Sequence, residues 1–169
     1  MGRVNIVSES GLKPLEVWVA EDSPFYRLVV EEAIEEIAKV TDVPISLTVF
    51  ERFGDIGQAF ALAQRGGGKF PCAVLSDLHF PDCAHDDLQD ILLFFSRYTH
   101  LVPVSYMSCN LESLEMAEKI VASHTNLVQK PRFLRKDTAE TMGSLVKTIH
   151  SMLFMARTVT PLPLGVAAV

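Results

Sequence analysis

The chain has 169 residues, 49% of them hydrophobic, and a formal net charge of −6. That length suits one domain with a sizeable core, and the apolar fraction excludes a disordered chain. The acidic balance, with no dense Lys/Arg stripe, opposes a phosphate-backbone partner, so no nucleic-acid binding is expected. No apolar run approaches the roughly eighteen residues of a membrane span, so no membrane association is expected either. The opening "MGRVNIVSESGLKP" lacks the apolar core of a secretion signal, which makes the cytoplasm the expected compartment. Three widely spaced cysteines without a CxxC pair agree with a reducing environment.

Along the chain, short apolar runs alternate with helical periodicity. "LEVWVA" (Leu15 to Ala20) reads as a buried strand. Ser23 and Pro24 mark a helix start, as N-cap and first helical residue. Phe25, Val29, Ala33, Ile34 and Ile37 supply that helix's apolar face. "ISLTVF" (Ile45 to Phe50) is a second strand, followed by a short helix over Asp55 to Gln64. The run "RGGGK" is a turn: it lacks the Ser/Thr of a phosphate-binding loop and precedes a strand where such a loop would follow one. "CAVLS" (Cys72 to Ser76) is the third strand, and Asp87 to Tyr98 forms a helix. "LVPVSYM" (Leu101 to Met107) is the fourth, with Pro103 near its start, where a missing N–H costs least. Leu111 to Ser123 is helical, "NLVQ" (Asn126 to Gln129) reads as a short fifth strand, and Leu134 to Ala156 as a long last helix. This alternation predicts an α/β domain with a parallel sheet and helices on both faces.

In such sheets ligands bind beyond the carboxyl ends of the strands. The residues there are Glu21 and Asp22, Glu51, Asp77, Ser108 and Lys130. Asp22 and Asp77 on neighbouring strands, with Glu21 beside them, form an acid cluster that raises its own proton affinity unless a cation neutralises it. All-oxygen ligands suit Mg²⁺, which binds through a few carboxylates together with phosphate oxygens. That arrangement serves phosphoryl transfer, in which positioning and electrostatics do most of the work. Lys130 would balance charge, and Ser108 would hydrogen-bond a transferred phosphoryl oxygen. A rival reading makes "SDLHFPDCAHDD" a zinc site of His79, Asp82, Cys83 and His85. Its spacing is cramped and matches no familiar zinc signature. Trp18 and most methionines fall on core-facing positions.

These residues together resemble a response-regulator receiver domain, similar to the chemotaxis receiver. The matches are Glu21-Asp22, Asp77 at the end of the third strand with Pro81 four residues on, Ser108-Cys109, and Lys130-Pro131. They span roughly Leu15 to Met152. The resemblance implies a flavodoxin-like, doubly wound, five-stranded parallel sheet of order 2-1-3-4-5 flanked by five helices. It divides the chain into an N-terminal extension (1–14), the receiver (15–152), and an extended last helix with an apolar arm (153–169). It further implies Asp77 as phosphoacceptor, and Mg²⁺ bound by Glu21, Asp22, Asp77 and the His79 backbone carbonyl. Ser108 and Lys130 would contact the phosphoryl group, and the His79 and Asn110 side chains would tune dephosphorylation. The phosphoryl donor would be a sensor histidine kinase or a small acyl phosphate. No enzymatic activity beyond self-catalysed phosphoryl transfer and autodephosphorylation is expected.

The chain also departs from the pattern. "PDCAHDD" lacks the glycine usual after the proline, and Leu127 stands three residues before Lys130, where the family has its switch aromatic. These departures favour an alternative, a binding or dimerisation module with a degenerate switch. A third reading, a hydrolase with Asp77 as nucleophile, meets His79 where such phosphatases carry a second acid. The tail "FMARTVTPLP" resembles the C-terminal arm of stand-alone receivers paired with bacterial phytochromes. That implies a homodimer through Met152, Leu153, Phe154, Met155, Leu162 and Leu164, and a bacteriophytochrome kinase as partner.

Overall fold

The computed structural model describes residues 2–6, 13–41, 44–83, 87–123, 127–137 and 140–158. In chain order the elements are β1 (Gly2–Ile6), β2 (Leu15–Ala20), α1 (Pro24–Val40), β3 (Ile45–Phe50) and α2 (Phe53–Gln64). They continue with β4 (Ala73–Asp77), α3 (Asp87–Ser96), β5 (Val104–Ser108), α4 (Leu111–Val121), β6 (Phe133–Arg135) and α5 (Thr141–Thr158). The sheet order is β1-β3-β2-β4-β5-β6, with β2 to β6 parallel. The five parallel strands thus follow the expected order 2-1-3-4-5, with a helix after each.

The period-2 alternation of strands decides which helices lie on which face. Along β2, Trp18 and Ala20 join a core with Phe60 of α2, Phe95 of α3 and Leu114 of α4. Val17 and Val19 point the other way, into a core with Ile34 of α1 and Ile149 of α5. Both faces are covered, and for that reason the central strands read as continuous apolar runs. The aromatic core is dense: the Phe60 ring stacks on Tyr98 at 4.2 Å and meets Trp18 edge-on at 5.1 Å.

Three expectations are corrected. Within the 1–14 extension, β1 pairs antiparallel with β3, Gly2 opposite Val49 and Ile6 opposite Ile45, and adds a sixth strand at that edge. The last strand is Phe133–Arg135, and the last helix starts at Thr141 instead of Leu134. The Val128 amide donates to the Thr99 carbonyl, 2.8 Å away, which puts the end of "NLVQ" beside the turn after α3, upstream of the sheet. Ser23 occupies the α1 N-cap position, but its side chain makes no capping bond. All three cysteines are free thiols. Among the described residues, no helix is long and apolar enough to cross a membrane.

Candidate functional site: an acid cluster closed by a lysine

Strand register assembles the site. Ala20 pairs with Ser76, so the next residues, Glu21 and Asp77, emerge side by side. Asp77 pairs with Met107 and Ser108 with Arg135, which brings Ser108 and then Lys136 to the same edge. The Lys136 amide donates to the Ser108 carbonyl at 3.0 Å and fixes that last step.

The lysine at the site is therefore Lys136, not Lys130. Lys130 is exposed and five positions short of the strand end, because the strand lies later than "NLVQ" suggested. Recounting from Lys136 also corrects the aromatic position. Phe133 stands three residues before the lysine, half-buried, its ring stacked on Tyr106 at 5.6 Å. Leu127 instead packs at the periphery of the core.

Lys136 is almost wholly buried and donates to Asp77 Oδ2 at 2.6 Å, Glu21 Oε2 at 2.9 Å and Glu21 Oε1 at 3.1 Å. Asp77 Oδ1 accepts from the backbone amides of Leu78 at 2.6 Å and His79 at 3.3 Å. Glu21 Oε1 also accepts from the Ser23 amide at 3.0 Å. Burial, then the charge of Asp77, push the Glu21 carboxyl up to about 7, against the pull of Lys136. Burial likewise raises Asp77, again opposed by Lys136. For Lys136 burial works downward, but the Asp77 and Glu21 carboxylates outweigh it and hold the ammonium above the ordinary lysine value.

The carboxylate oxygens of Glu21, Asp22 and Asp77 come within 4.8 Å of one another, forming an all-oxygen donor set. Two of these acids are buried with raised proton affinity, an arrangement that a hard divalent cation relieves, so the residues fit Mg²⁺. Among the described residues this is the only such cluster of potential ligands. The zinc reading finds no counterpart there. Asp82 accepts from the Phe53 and Gly54 amides at 3.2 and 3.1 Å and so caps α2, and Cys83 packs against the core. His85 lies outside the described residues.

A hollow of about 400 Å³ opens onto the cluster between Asp22, Asp77, His79, Ser108, Asn110 and Lys136. Ser108 is fully buried, and its oxygen accepts from the Asn110 amide at 3.0 Å, which leaves the hydroxyl proton to be donated. Asn110 in turn caps α4 through Oδ1, 3.2 Å from the Ser113 amide. The His79 ring is exposed, with Nε2 3.0 Å from Ser113 Oγ. A larger hollow of about 600 Å³ lies between α4, β6 and α5 and includes Lys130 and Lys147. None of the converging acids reaches it, so the chemistry selects the smaller one.

The C-terminal dimer residues divide. Met152 and Leu153 are buried in this chain's own core. Their place on the inward stripe of α5 removes them from an interface. Phe154 is 60% exposed, Met155 half-buried, and Leu162 and Leu164 lie outside the described residues.

Solved structures share this architecture. The chemotaxis response regulator CheY4 of Vibrio cholerae matches at 18% identity and a TM-score of 0.52, over 83% of this chain and 100% of its own. A response-regulator receiver domain from Rhodospirillum rubrum matches at 18% and 0.57, over 88% and 96%. The bacteriophytochrome response regulator AtBRR matches at 18% and 0.55, over 85% and 95%. The fold is that of a response-regulator receiver domain. No protein-family model matches the sequence, and no curated protein does. The receiver fold is therefore carried here by a sequence far from those relatives, and the residues at the strand ends carry the functional argument.

Proposed function

We propose that this chain is a two-component response regulator whose receiver accepts a phosphoryl group on Asp77 from a sensor histidine kinase. The observation that carries the reading is Lys136, buried and bonded at once to Asp77 and Glu21 where four parallel strands end.

An Asp77 carboxylate oxygen attacks the phosphorus of the donor phosphohistidine. The O–P bond forms as the P–N bond breaks, and the imidazole leaves with the electron pair. The backbone amides of Leu78 and His79 hold the other Asp77 oxygen, which orients the carboxylate for in-line attack. Lys136 moves a donor from the Asp77 carboxylate to a phosphoryl oxygen, and the Ser108 hydroxyl donates to another. Glu21, Asp22, Asp77 and the His79 carbonyl would hold Mg²⁺, which supplies charge neutralisation for the transferring group when bound. The His79 and Asn110 side chains, at the rim of the hollow, govern water's approach to the acyl phosphate. No further catalytic activity is assigned to the chain.

The switch couples through β6, the strand that Lys136 directly follows. A donor bond drawn to a phosphoryl oxygen shifts Ser108 and Lys136, and Phe133 on the same short strand transmits the change to the α4–β6 face. A fold that retains the receiver but not the switch is the rival reading. It loses its main support, since the position credited to Leu127 belongs to Phe133. Similarity to bacteriophytochrome response regulators makes such a photoreceptor kinase the first donor to try. Phe154 and the segment after it are the candidates for a homodimer contact.

Acetyl phosphate with Mg²⁺ should load one acid-labile phosphoryl group on the wild type and none on Asp77→Asn. A wild type that never loads, or an Asp77→Asn chain that does, contradicts the proposal. Beryllofluoride with Mg²⁺ should perturb the NMR signals of Ser108 and Phe133; silence there would favour the switchless module.

A further inference from the structure

Lys136 meets more than carboxylates. Its Nζ lies 4.5 Å from the centroid of the Tyr26 ring, which projects from the first turn of α1 and is half-buried. The Tyr26 hydroxyl oxygen accepts from Cys109 Sγ at 3.4 Å. Cys109 follows Ser108 and lines the hollow over the acid cluster. One side chain thus spans from α1 to the loop after β5, with its ring face against the buried ammonium.

The three N–H bonds of that ammonium all go to Glu21 and Asp77 oxygens. The same two acids belong to the cluster that would turn toward a divalent cation. Once they do, the lysine keeps its flexible four-carbon stem and loses its fixed partners. A ring face attracts a cation through its quadrupole, and a carboxylate-seeking metal does not compete for it. We propose that Tyr26 is a positioning residue for Lys136, its ring holding the ammonium in the wall of the hollow when the carboxylates turn to a cation, so that Nζ stays within reach of an incoming phosphoryl oxygen. The hydroxyl contact with Cys109 orients the ring, and the ring itself does the holding. The inference rests on the phosphoryl-acceptor reading of the site.

Tyr26→Phe and Tyr26→Leu separate the two parts. The ε-methylene protons of Lys136 should show an upfield ring-current shift in the wild type and in Tyr26→Phe, with and without Mg²⁺. The shift should vanish in Tyr26→Leu. At saturating Mg²⁺, Tyr26→Phe should take phosphoryl from acetyl phosphate within about twofold of the wild-type rate, and Tyr26→Leu about fivefold more slowly. A purely structural role for Tyr26 would not tie the rate to the ring shift in this way. A wild-type rate in Tyr26→Leu, an equal loss in both variants, or a ring shift that disappears when Mg²⁺ is added to the wild type would overturn the proposal with the functional reading intact. If the wild type takes up no phosphoryl group on Asp77, the functional reading itself fails and this inference with it.

Discussion

Glu21, Asp77 and Lys136 form a buried triad in which two negative charges share one positive charge. Removing the cation strands both carboxylates, and breaking a buried pair of this kind costs about 3 kcal/mol or more. Lys136→Ala should therefore lower the unfolding free energy by about 3 kcal/mol at about pH 8, with a smaller loss at about pH 5, where the acids can protonate. Urea unfolding at the two pH values measures it; an equal loss at both would contradict the charge argument. Glu21 gives the sign of a second effect. Its folded value of about 7 exceeds the ordinary 4.5, so the folded chain binds this proton more tightly. The stability it contributes is fully present below about pH 4.5 and is lost as pH rises through about 7. Without added metal, the stability of the wild type relative to Glu21→Gln should fall across that window. A flat difference would mean that Glu21 titrates normally.

Elements were legible where burial is symmetrical, and illegible at the sheet's margins. β2 and β3 are covered on both faces and rich in β-branched and aromatic residues, so Leu15 to Ala20 and Ile45 to Phe50 are recognisable from composition alone. β6 has three residues, one of them exposed Arg135 and only Leu134 fully buried. A strand that short leaves no periodic trace, and the apolar pair in "NLVQK" supplies a decoy ahead of it. The lysine and aromatic positions moved with the strand. The signal that could have located them is Phe133 followed by Lys136 three residues on, as the family spacing requires. β1 escaped notice because an antiparallel edge strand needs only one partner and little apolar content. The turn after β4 also acquired an unforeseen task. Asp82 caps α2 across 29 positions of sequence, so Asp82→Ala should cost about 1 kcal/mol in thermal or urea unfolding. Unchanged stability would show the cap to be replaceable by water.

The molecule as a whole gathers its acid cluster and Lys136 at one edge of the sheet, and the proposed homodimer contact at Phe154 involves none of those residues. The acids and Ser108 are visible in sequence as strand-end residues, whereas Lys136 was masked by the displaced last strand and the Tyr26 contact joins α1 to a distant loop, leaving no spacing to read. In the homodimer proposed above, Phe154, exposed beyond the buried Met152 and Leu153, is the described C-terminal residue offered for a partner copy to cover. Light scattering should report a dimer for the full chain and a monomer for one ending at Ala156. Two monomers would remove the homodimer from the account. The most direct test of the central claim is intact-protein mass spectrometry after acetyl phosphate and Mg²⁺, across wild type, Asp77→Asn, Lys130→Ala and Lys136→Ala. The predicted result is one phosphoryl group on Asp77 in the wild type and in Lys130→Ala, none in Asp77→Asn, and little in Lys136→Ala. Loading of Asp77→Asn, or no loading of the wild type, would contradict it.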